Sequence, residues 1–273
     1  MRNKGEDLAE GSVALARGTR LSPGGVALAA TLDRATLVCH TRPVVTVLSS
    51  GDELRSPGDP SRPGSIVESN GLFVSAVARR AGAVARLAPF VADDLDATTR
   101  AVETALTGSD LVVTIGGVSV GDRDLVRAAL EAAGVRIQFH RIPIKPGRPI
   151  LAGVHPSGAR VLGLPGNPAS ASLTFLLFGV PLLRCIGGEA APRPEVRRLP
   201  VRGKAKSATG RTDFLRGRIV DEDGELRFAI APNQSSGAVT SFAAATALAV
   251  VPPGRDRVQD GDVLDVLRIA DIA

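Results

Sequence analysis

The stretch between residues 43 and 188 alternates short apolar runs with helical patterns, and this alternation restricts the fold more than any other feature. The apolar runs are rich in Val, Ile and Leu, as in "VVTVLSS" (44–50) and "DLVVTIGG" (110–117). Such alternation is typical of βαβ units and of a mostly parallel sheet. We therefore expect a three-layer α/β domain over residues 43–187.

The same patterns predict the individual elements. Ser69 is expected to cap the first helix after the first strand, and Asn167 to cap the last helix, with Pro168 at its first position and free N–H groups pointing toward an anion. Residues 1–40 read as a strand, a turn, a short helix and a second strand, "ATLVCH" (35–40). The predicted strands of the α/β domain are 44–50, 83–91, 110–117, 136–144, 149–154 and 161–164, and the helices are 69–83, 94–108, 124–134 and 168–186.

The pattern changes after residue 187. Residues 188–200 are rich in Gly, Pro and charge, which indicates a linker. From residue 201 to 273 the chain holds short extended pieces separated by turns such as "DEDGE" and "PPGRD", so we expect a small β-barrel or sandwich there.

The composition of the chain limits the classes of ligand that it is expected to bind. The chain has a formal net charge of +5, which can attract nucleic acid, anionic lipid or a small anion. It has no Trp, no Tyr and only 8 Phe, whereas modules that read single-stranded nucleic acid stack bases on aromatics. A small anion is therefore favoured over nucleic acid.

No apolar run approaches the roughly 20 residues of a membrane span, and the polar N-terminus has no apolar signal region. Cys39 and Cys185 are too few for a disulfide framework. We therefore expect a cytoplasmic protein that is not inserted in a membrane.

Four loops follow predicted strands and carry chemically unusual residues. Parallel strands deliver these loops to one edge of the sheet, and ligands bind where the winding reverses. Taken singly, each loop has an ordinary explanation, since glycines allow positive φ and aspartates cap helices. The loops are "SSGDELRSPGDPSRPGS" (49–65), "ADD" (92–94), "GGVSVGDRD" (116–124) and "GLPGNPAS" (163–170).

A basic turn, "IKPGRP" (144–149), adds Lys145 and Arg148, which could clamp one tetrahedral oxyanion. The alternative is an ordinary basic hairpin tip. The chain contains neither G-x-G-x-x-G nor a P-loop motif, and its three histidines lack ligand spacing. An acidic group suited to Mg²⁺ beside a basic group suited to an oxyanion is the equipment of phosphoryl chemistry.

Several motifs in order closely resemble the molybdopterin molybdenumtransferase family: "VVTVLSSGDEL", "GSIVESN", "DLVVTIGGVSVGDRD", "IKPGRP" and "VLGLPGNPASASLTFLLF". The later stretch "GRTDFLRGRIV…APNQSSGAVTSF…ALAVVPPG" resembles the C-terminal β-barrel domain of that family. The resemblance implies a molybdopterin-binding-like α/β domain with a mostly parallel sheet, followed by a small C-terminal β-barrel. It also implies that residues 1–42 are the remnant of an N-terminal domain.

The family takes adenylylated molybdopterin, hydrolyses its pyrophosphate bond with molybdate and a divalent cation, and releases AMP. By resemblance, the residues that matter for catalysis are Glu53, Asp93, Asp124 and Asp7, and Mg²⁺ would be bound by Glu53, Asp93 and Asp124. The positions that match molybdate or oxyanion binding are Lys145, Arg148, Ser170, Arg211 and Ser236. The expected substrate-binding positions are Ser50, Gly51, Asp52, Gly116, Gly117, Ser119, Gly121, Asp122, Gly163, Pro165, Gly166, Asn167 and Pro168.

The sequence departs from the family pattern at three places. Arg148 stands where the family usually has Lys, and Glu68 replaces the usual Asp of "ESN". The N-terminal part of the family pattern is missing, so we expect a homodimer weakened by truncation and impaired turnover. Two alternatives stay open: a non-catalytic module that binds molybdopterin or a partner, and a molybdopterin adenylyltransferase, against which the barrel and "GLPGNPAS" argue.

Overall fold

The computed structural model describes residues 5–117, 125–190, 192 and 194–272. Before residue 44 the described chain forms one regular element, helix α1 (Pro23–Thr31), whose N-cap Ser22 accepts a hydrogen bond from Gly25 N at 3.1 Å. The prediction of two strands in this segment was wrong, because residues 5–43 contain none. "ATLVCH" pairs with no sheet edge, and its Val38 is fully exposed.

The next part of the chain is the predicted three-layer α/β domain. Its six-stranded sheet has the order β4-β1-β5-β9-β8-β6, with the first four strands parallel and β8 antiparallel to both neighbours. The strands are β1 (Val44–Ser49), β4 (Val84–Leu87), β5 (Leu111–Ile115), β6 (Arg136–His140), β8 (Leu151–Val154) and β9 (Arg160–Leu164); short strands β2 (Leu54–Arg55) and β3 (Ile66–Val67) pair with each other, and β7 (Ile144–Lys145) lies outside this sheet.

Helices cover both faces of the sheet. On one face α2 (Asn70–Arg80) packs beside a long helix made of α5 (Pro168–Thr174), a π-helical segment (Phe175–Gly179) and α6 (Val180–Ile186). On the other face lie α3 (Leu95–Leu106) and α4 (Leu125–Ala132). The two central strands, β1 and β5, are buried almost throughout because both of their faces are covered.

Two of the predicted caps differ from expectation. Ser69 occupies the N-cap position of α2 without a capping bond; instead the buried carboxylate of Glu68 accepts from Gly71 N at 2.6 Å. Asn167 likewise makes no side-chain cap at α5. A longer acidic side chain one residue earlier satisfies the orphan donor of α2, so the Ser69 hydroxyl is not needed there.

The sequence-based expectation that no apolar run approaches membrane-spanning length needs correction. The helical stretch Pro168–Ile186 is long and apolar enough, by length and composition, to cross a membrane, and 61% of its apolar window is buried inside the structure. Leu173, Phe175 and Val180 of this stretch belong to the main core cluster. Its apolar character is therefore accounted for by burial against the sheet and α2.

The C-terminal part forms a closed five-stranded barrel, as expected from the resemblance. Its strands follow the cyclic order β10-β16-β14-β12-β13, and β13 closes the barrel by pairing with β10 and β12. Closure removes free sheet edges. The elements of this part are β10 (Val196–Arg202), β11 (Ala205–Lys206), β12 (Thr212–Glu222), β13 (Glu225–Ile230), α7 (Val239–Ala243), β14 (Ala247–Val251), β15 (Arg257–Val258), β16 (Val263–Arg268) and α8 (Ile269–Ile272).

The barrel and the α/β domain share one apolar core. Phe242, Leu248 and Leu267 of the barrel belong to the same buried cluster as the long helix. The rings of Phe73 and Phe242 meet edge to face with centroids 5.6 Å apart. In addition, β7 of the α/β domain pairs in parallel with β12 of the barrel, so the two domains are fixed relative to each other.

Candidate functional site

The winding of the sheet reverses between β1 and β5. The chain leaves β1 for β4 on one side and returns to β5 on the other, so the carboxyl edge, where the parallel strands end, has a topological switch point between β1 and β5. Ligands of doubly wound sheets bind at such a point. All four loops singled out in the sequence begin at this edge.

Three of these loops touch each other through small residues. A side chain at Gly116, where φ is +88°, would place its Cβ 2.9 Å from the carbonyl oxygen of Ser50. A Cβ at Gly166 would lie 3.6 Å from the Cα of Gly116. Asn70 at the start of α2 donates from Nδ2 to the carbonyl oxygen of Gly166 at 2.8 Å and fixes the third loop. The close packing of the loops after β1 and β5 therefore requires glycine at position 116.

The acidic side chains lie on the loops after β1 and β4, which we call the acidic loops (residues 50–53 and 92–94). Asp93 N donates to Asp52 Oδ1 at 3.3 Å, and Asp52, Glu53 and Asp93 are exposed to solvent. Asp94 has a different role, because its Oδ1 accepts from Ala97 N at 2.8 Å as the N-cap of α3. Adjacent aspartates thus separate into one free carboxylate and one structural cap.

Carboxylate oxygens are the ligands that Mg²⁺ prefers. Glu53 and Asp93 lie on adjoining loops, but the described residues contain no group of three potential metal ligands. The third predicted ligand, Asp124, lies outside the described residues, as do Ser119, Gly121 and Asp122.

The basic side chains lie in a second place, a cavity of about 1030 Å³ between the α/β domain and the barrel. We call it the oxyanion pocket. All five positions matched to oxyanion binding line it, from four separate parts of the chain: Lys145, Arg148, Ser170, Arg211 and Ser236.

The basic turn reaches this pocket because β7 joins the barrel. In the parallel pairing of β7 with β12, Lys145 is in register with Asp213, and Arg211 Nε donates to Asp213 Oδ1 at 2.7 Å. Asp213 is 2% exposed, so a buried carboxylate orients the Arg211 guanidinium. The basic turn is therefore part of the wall of a cavity between the two domains.

Gly147 is the tightest point of the turn. Its φ is +109°, and a Cβ there would lie 2.4 Å from Thr174 Cγ2 of α5. The turn that carries Lys145 and Arg148 therefore sits directly against the long helix.

Two serines complete the oxyanion pocket. Ser170 on α5 is 4% exposed, and Ser236 lies on the loop after β13. The expectation of free N–H groups at the start of α5 needs correction for Ala169, whose N–H donates to the carbonyl oxygen of Ser236 at 2.9 Å. That bond ties the loop between β13 and α7 (residues 231–238), which we call the serine loop, to the start of α5.

Arg216 was not singled out in the sequence and is 1% exposed. Its Nη2 donates to the carbonyl oxygens of Ser235 at 3.0 Å and Asn233 at 3.4 Å. Its Nε and Nη1 are buried and have no hydrogen-bond partner among the described residues. Burial lowers the pKa of its guanidinium from the ordinary value. A buried cation thus supports the serine loop from behind the pocket wall; an arginine inside an apolar strand pattern was the only signal in the sequence.

Two predicted residues line neither cavity of the domain junction among the described residues. Among the described residues, Asp7 forms no hydrogen bond or ion pair with the acidic loops or the oxyanion pocket. The chain that follows Asp7 contacts the C-terminal ends of α2 and α6, where Ala190 N donates to Gly18 O and Arg20 Nη2 donates to Arg80 O. Gly163 lies inside β9, buried between Thr114 and Leu151, so the loop itself begins at Pro165.

Comparison with known families agrees with this architecture. The model described as "Probable molybdopterin binding domain" matches residues 46–185, and "MoeA C-terminal region (domain IV)" matches residues 198–269. The first match spans more than half of the chain. The chain belongs to the probable molybdopterin binding domain family.

Several known proteins are similar to almost the whole of this chain. The molybdopterin molybdenumtransferase of Bacillus subtilis is 33% identical over 265 residues, covering 97% of this chain and 61% of the relative. That of Haemophilus influenzae is 32% identical and covers 97% and 66%. A molybdopterin biosynthesis protein of Pyrococcus horikosii superposes with a TM-score of 0.80 at 28% identity, covering 97% and 64%. The chain therefore spans less than two thirds of the length of these relatives.

Proposed function

We propose that this chain carries the molybdate-handling and molybdopterin-handling parts of a molybdopterin molybdenumtransferase, which inserts molybdenum from molybdate into adenylylated molybdopterin and releases AMP. The observation that carries the proposal is the oxyanion pocket, where five polar residues from four separate segments converge. Two of them, Arg211 and Ser236, come from the barrel. A molybdopterin adenylyltransferase consisting of the α/β domain alone would lack both.

In the proposed reaction, molybdate occupies the oxyanion pocket. Lys145 and Arg148 neutralise its charge, and Arg211, held by Asp213, presents a planar pair of donors to its oxygens. The hydroxyls of Ser170 and Ser236 donate further hydrogen bonds. Because the donors are attached to two packed domains, they are positioned before the anion arrives.

The pterin substrate lies at the carboxyl edge of the sheet, beside Ser50, Gly51, Gly116 and Gly166. Water cleaves the pyrophosphate bond there, the adenylyl phosphate leaves as AMP, and the proton released passes to solvent. Glu53 and Asp93 orient the attacking water by accepting hydrogen bonds from it. Mg²⁺, if bound, would be held by Glu53, Asp93 and Asp124 and would neutralise charge on the pyrophosphate.

The test measures AMP release from adenylylated molybdopterin in the presence of molybdate and Mg²⁺. We expect release that depends on molybdate and falls at least tenfold in Glu53→Gln. Saturable pterin binding without AMP release would instead identify a non-catalytic binding module. A homodimer and a cytoplasmic location stay predictions from the family resemblance.

A further inference from the structure

A second, smaller cavity adjoins the oxyanion pocket on the side of the barrel. It has a volume of about 280 Å³ and is walled by the turn and strand at 203–206, the ends of β12 and β13, and the basic turn. We call it the lysine pocket because it is lined by Lys145, Lys204 and Lys206. The reaction outlined above assigns no role to Lys204, Lys206 or the cavity itself.

The concentration of lysine at this cavity is unusual for the chain. Of the 33 basic residues only four are lysines, and three of those four line the one cavity. None of the three forms an ion pair among the described residues, and the only carboxylate in the wall, Asp213, is already bound to Arg211. Like charges brought together without a counter-charge repel one another, so this arrangement favours an anionic ligand.

The two adjoining cavities account for the charge balance of the whole protein. Six cationic side chains and one carboxylate line them, a formal charge of +5, and the formal net charge of the entire chain is also +5. Elsewhere in the chain, positive and negative charges cancel. The basic character of the sequence is therefore concentrated at this junction of the two domains.

A fixed wall separates the two cavities. Gln234 lines both, and its amide is fully engaged: Nε2 donates to the carbonyl oxygens of Arg216 and Ala231 at 2.8 Å, and Oε1 accepts from Arg216 N at 3.0 Å. A side chain held by three hydrogen bonds does not swing aside to merge the cavities. Each cavity can therefore hold its own anion, with Lys145 at the edge of both.

We propose that the lysine pocket is a second anion subsite, which binds a phosphate group while another oxyanion occupies the oxyanion pocket. Its volume lies just below the ~300–1,000 Å³ range of drug-sized ligand pockets, which suits a small group. Lysine ammonium groups are compact charges that bind phosphate without the planar geometry that arginine imposes. This inference concerns a site outside the proposed reaction centre.

The experiment follows inorganic phosphate by phosphorus NMR titration of the full chain, with and without saturating molybdate. If the subsites are separate, phosphate still binds when molybdate is present. The variant Lys204→Gln/Lys206→Gln should then weaken phosphate binding about tenfold, with molybdate affinity changed less than twofold, since exposed charges act mainly on the ligand they touch. The matched control, Arg197→Gln/Arg198→Gln, removes two charges from the same domain outside both cavities and should change phosphate affinity less than twofold.

Three results would overturn the proposal: competition between phosphate and molybdate for a single site, unchanged phosphate affinity in the lysine variant, or equal losses in the lysine variant and the control. The exposed positions of Lys204 and Lys206 keep both variants folded, which circular dichroism checks. The proposed function fails separately, in the AMP-release assay, because phosphate titration uses no pterin substrate.

Discussion

The acidic loops and the oxyanion pocket are built in different ways. The acidic loops belong to one domain, and parallel strands deliver them to one edge whatever their side chains are. The oxyanion pocket combines a turn, a helix and two segments of the barrel, and it exists only because the barrel is docked. Strand topology assembles the first group, and packing between domains assembles the second.

Because of this difference, substitutions in the two places should differ in their effects on stability and on the reaction. Asp52, Glu53 and Asp93 are exposed, so changing them should affect the reaction and leave the fold intact. The oxyanion pocket rests on buried groups such as Asp213 and Arg216, so changes around it should affect folding and binding together.

The largest effect is expected for Gly147→Ala, which places a methyl group against Thr174 at positive φ. Backbone strain costs ~1–2 kcal/mol and overpacking costs ~1–3 kcal/mol. The free energy of unfolding should therefore fall by about 3 kcal/mol. Chemical denaturation measures it. Gly158→Ala is the control, because that glycine also has positive φ but nothing within 4 Å of the added Cβ. Equal losses in the two variants would show that the turn does not pack against the long helix.

Lys145→Ala should weaken molybdate binding by roughly 10- to 100-fold, because a charge-assisted contact to an oxyanion is typically worth ~1.5–3 kcal/mol. Isothermal titration calorimetry measures the affinity. Arg198→Ala, which removes an exposed charge from the barrel outside the pocket, should change it less than twofold. Unchanged affinity in Lys145→Ala would remove the basic turn from the anion site.

Arg216→Gln should weaken molybdate binding about tenfold, equivalent to ~1.4 kcal/mol, because it removes the buried charge and loosens the serine loop. Arg216→Lys retains the charge and should recover part of the affinity. Arg218→Gln, on the same strand but exposed, serves as the control. If Arg216→Gln and Arg216→Lys bind equally weakly, the contribution of Arg216 lies in its hydrogen bonds and not in its charge.

The smallest effect concerns the neighbouring aspartates of the acidic loops. Asp94→Ala removes the N-cap of α3 and should cost about 1 kcal/mol of stability, with AMP release unchanged. Asp93→Ala should do the reverse, with unchanged stability and slower AMP release. Loss of AMP release in Asp94→Ala alone would reverse the roles assigned to the two residues.

Much of the fold could be predicted because local pattern and tertiary environment agree. The apolar runs of β1 and β5 reappear as the most buried strands, and Asp94 caps α3 as aspartates before helices commonly do. The failures lie where a segment depends on a distant partner. "ATLVCH" has the composition of a strand but no edge to pair with, and the Ala169 N–H expected to face an anion bonds to Ser236 of another domain.

The sequence by itself determined which loops follow the parallel strands, what net charge the chain carries and which residues belong to the candidate site. Each of these can be read from neighbouring positions in the chain. Only the tertiary structure decided that Lys145, Arg211 and Ser236 line one cavity. It also decided that Arg216 is buried behind the serine loop and that three lysines line a second cavity. The physical reason is that periodicity and turn chemistry act only over a few neighbouring residues. The pairing of β7 with β12 joins segments almost 70 residues apart (Ile144 with Thr212), and no local preference specifies that contact.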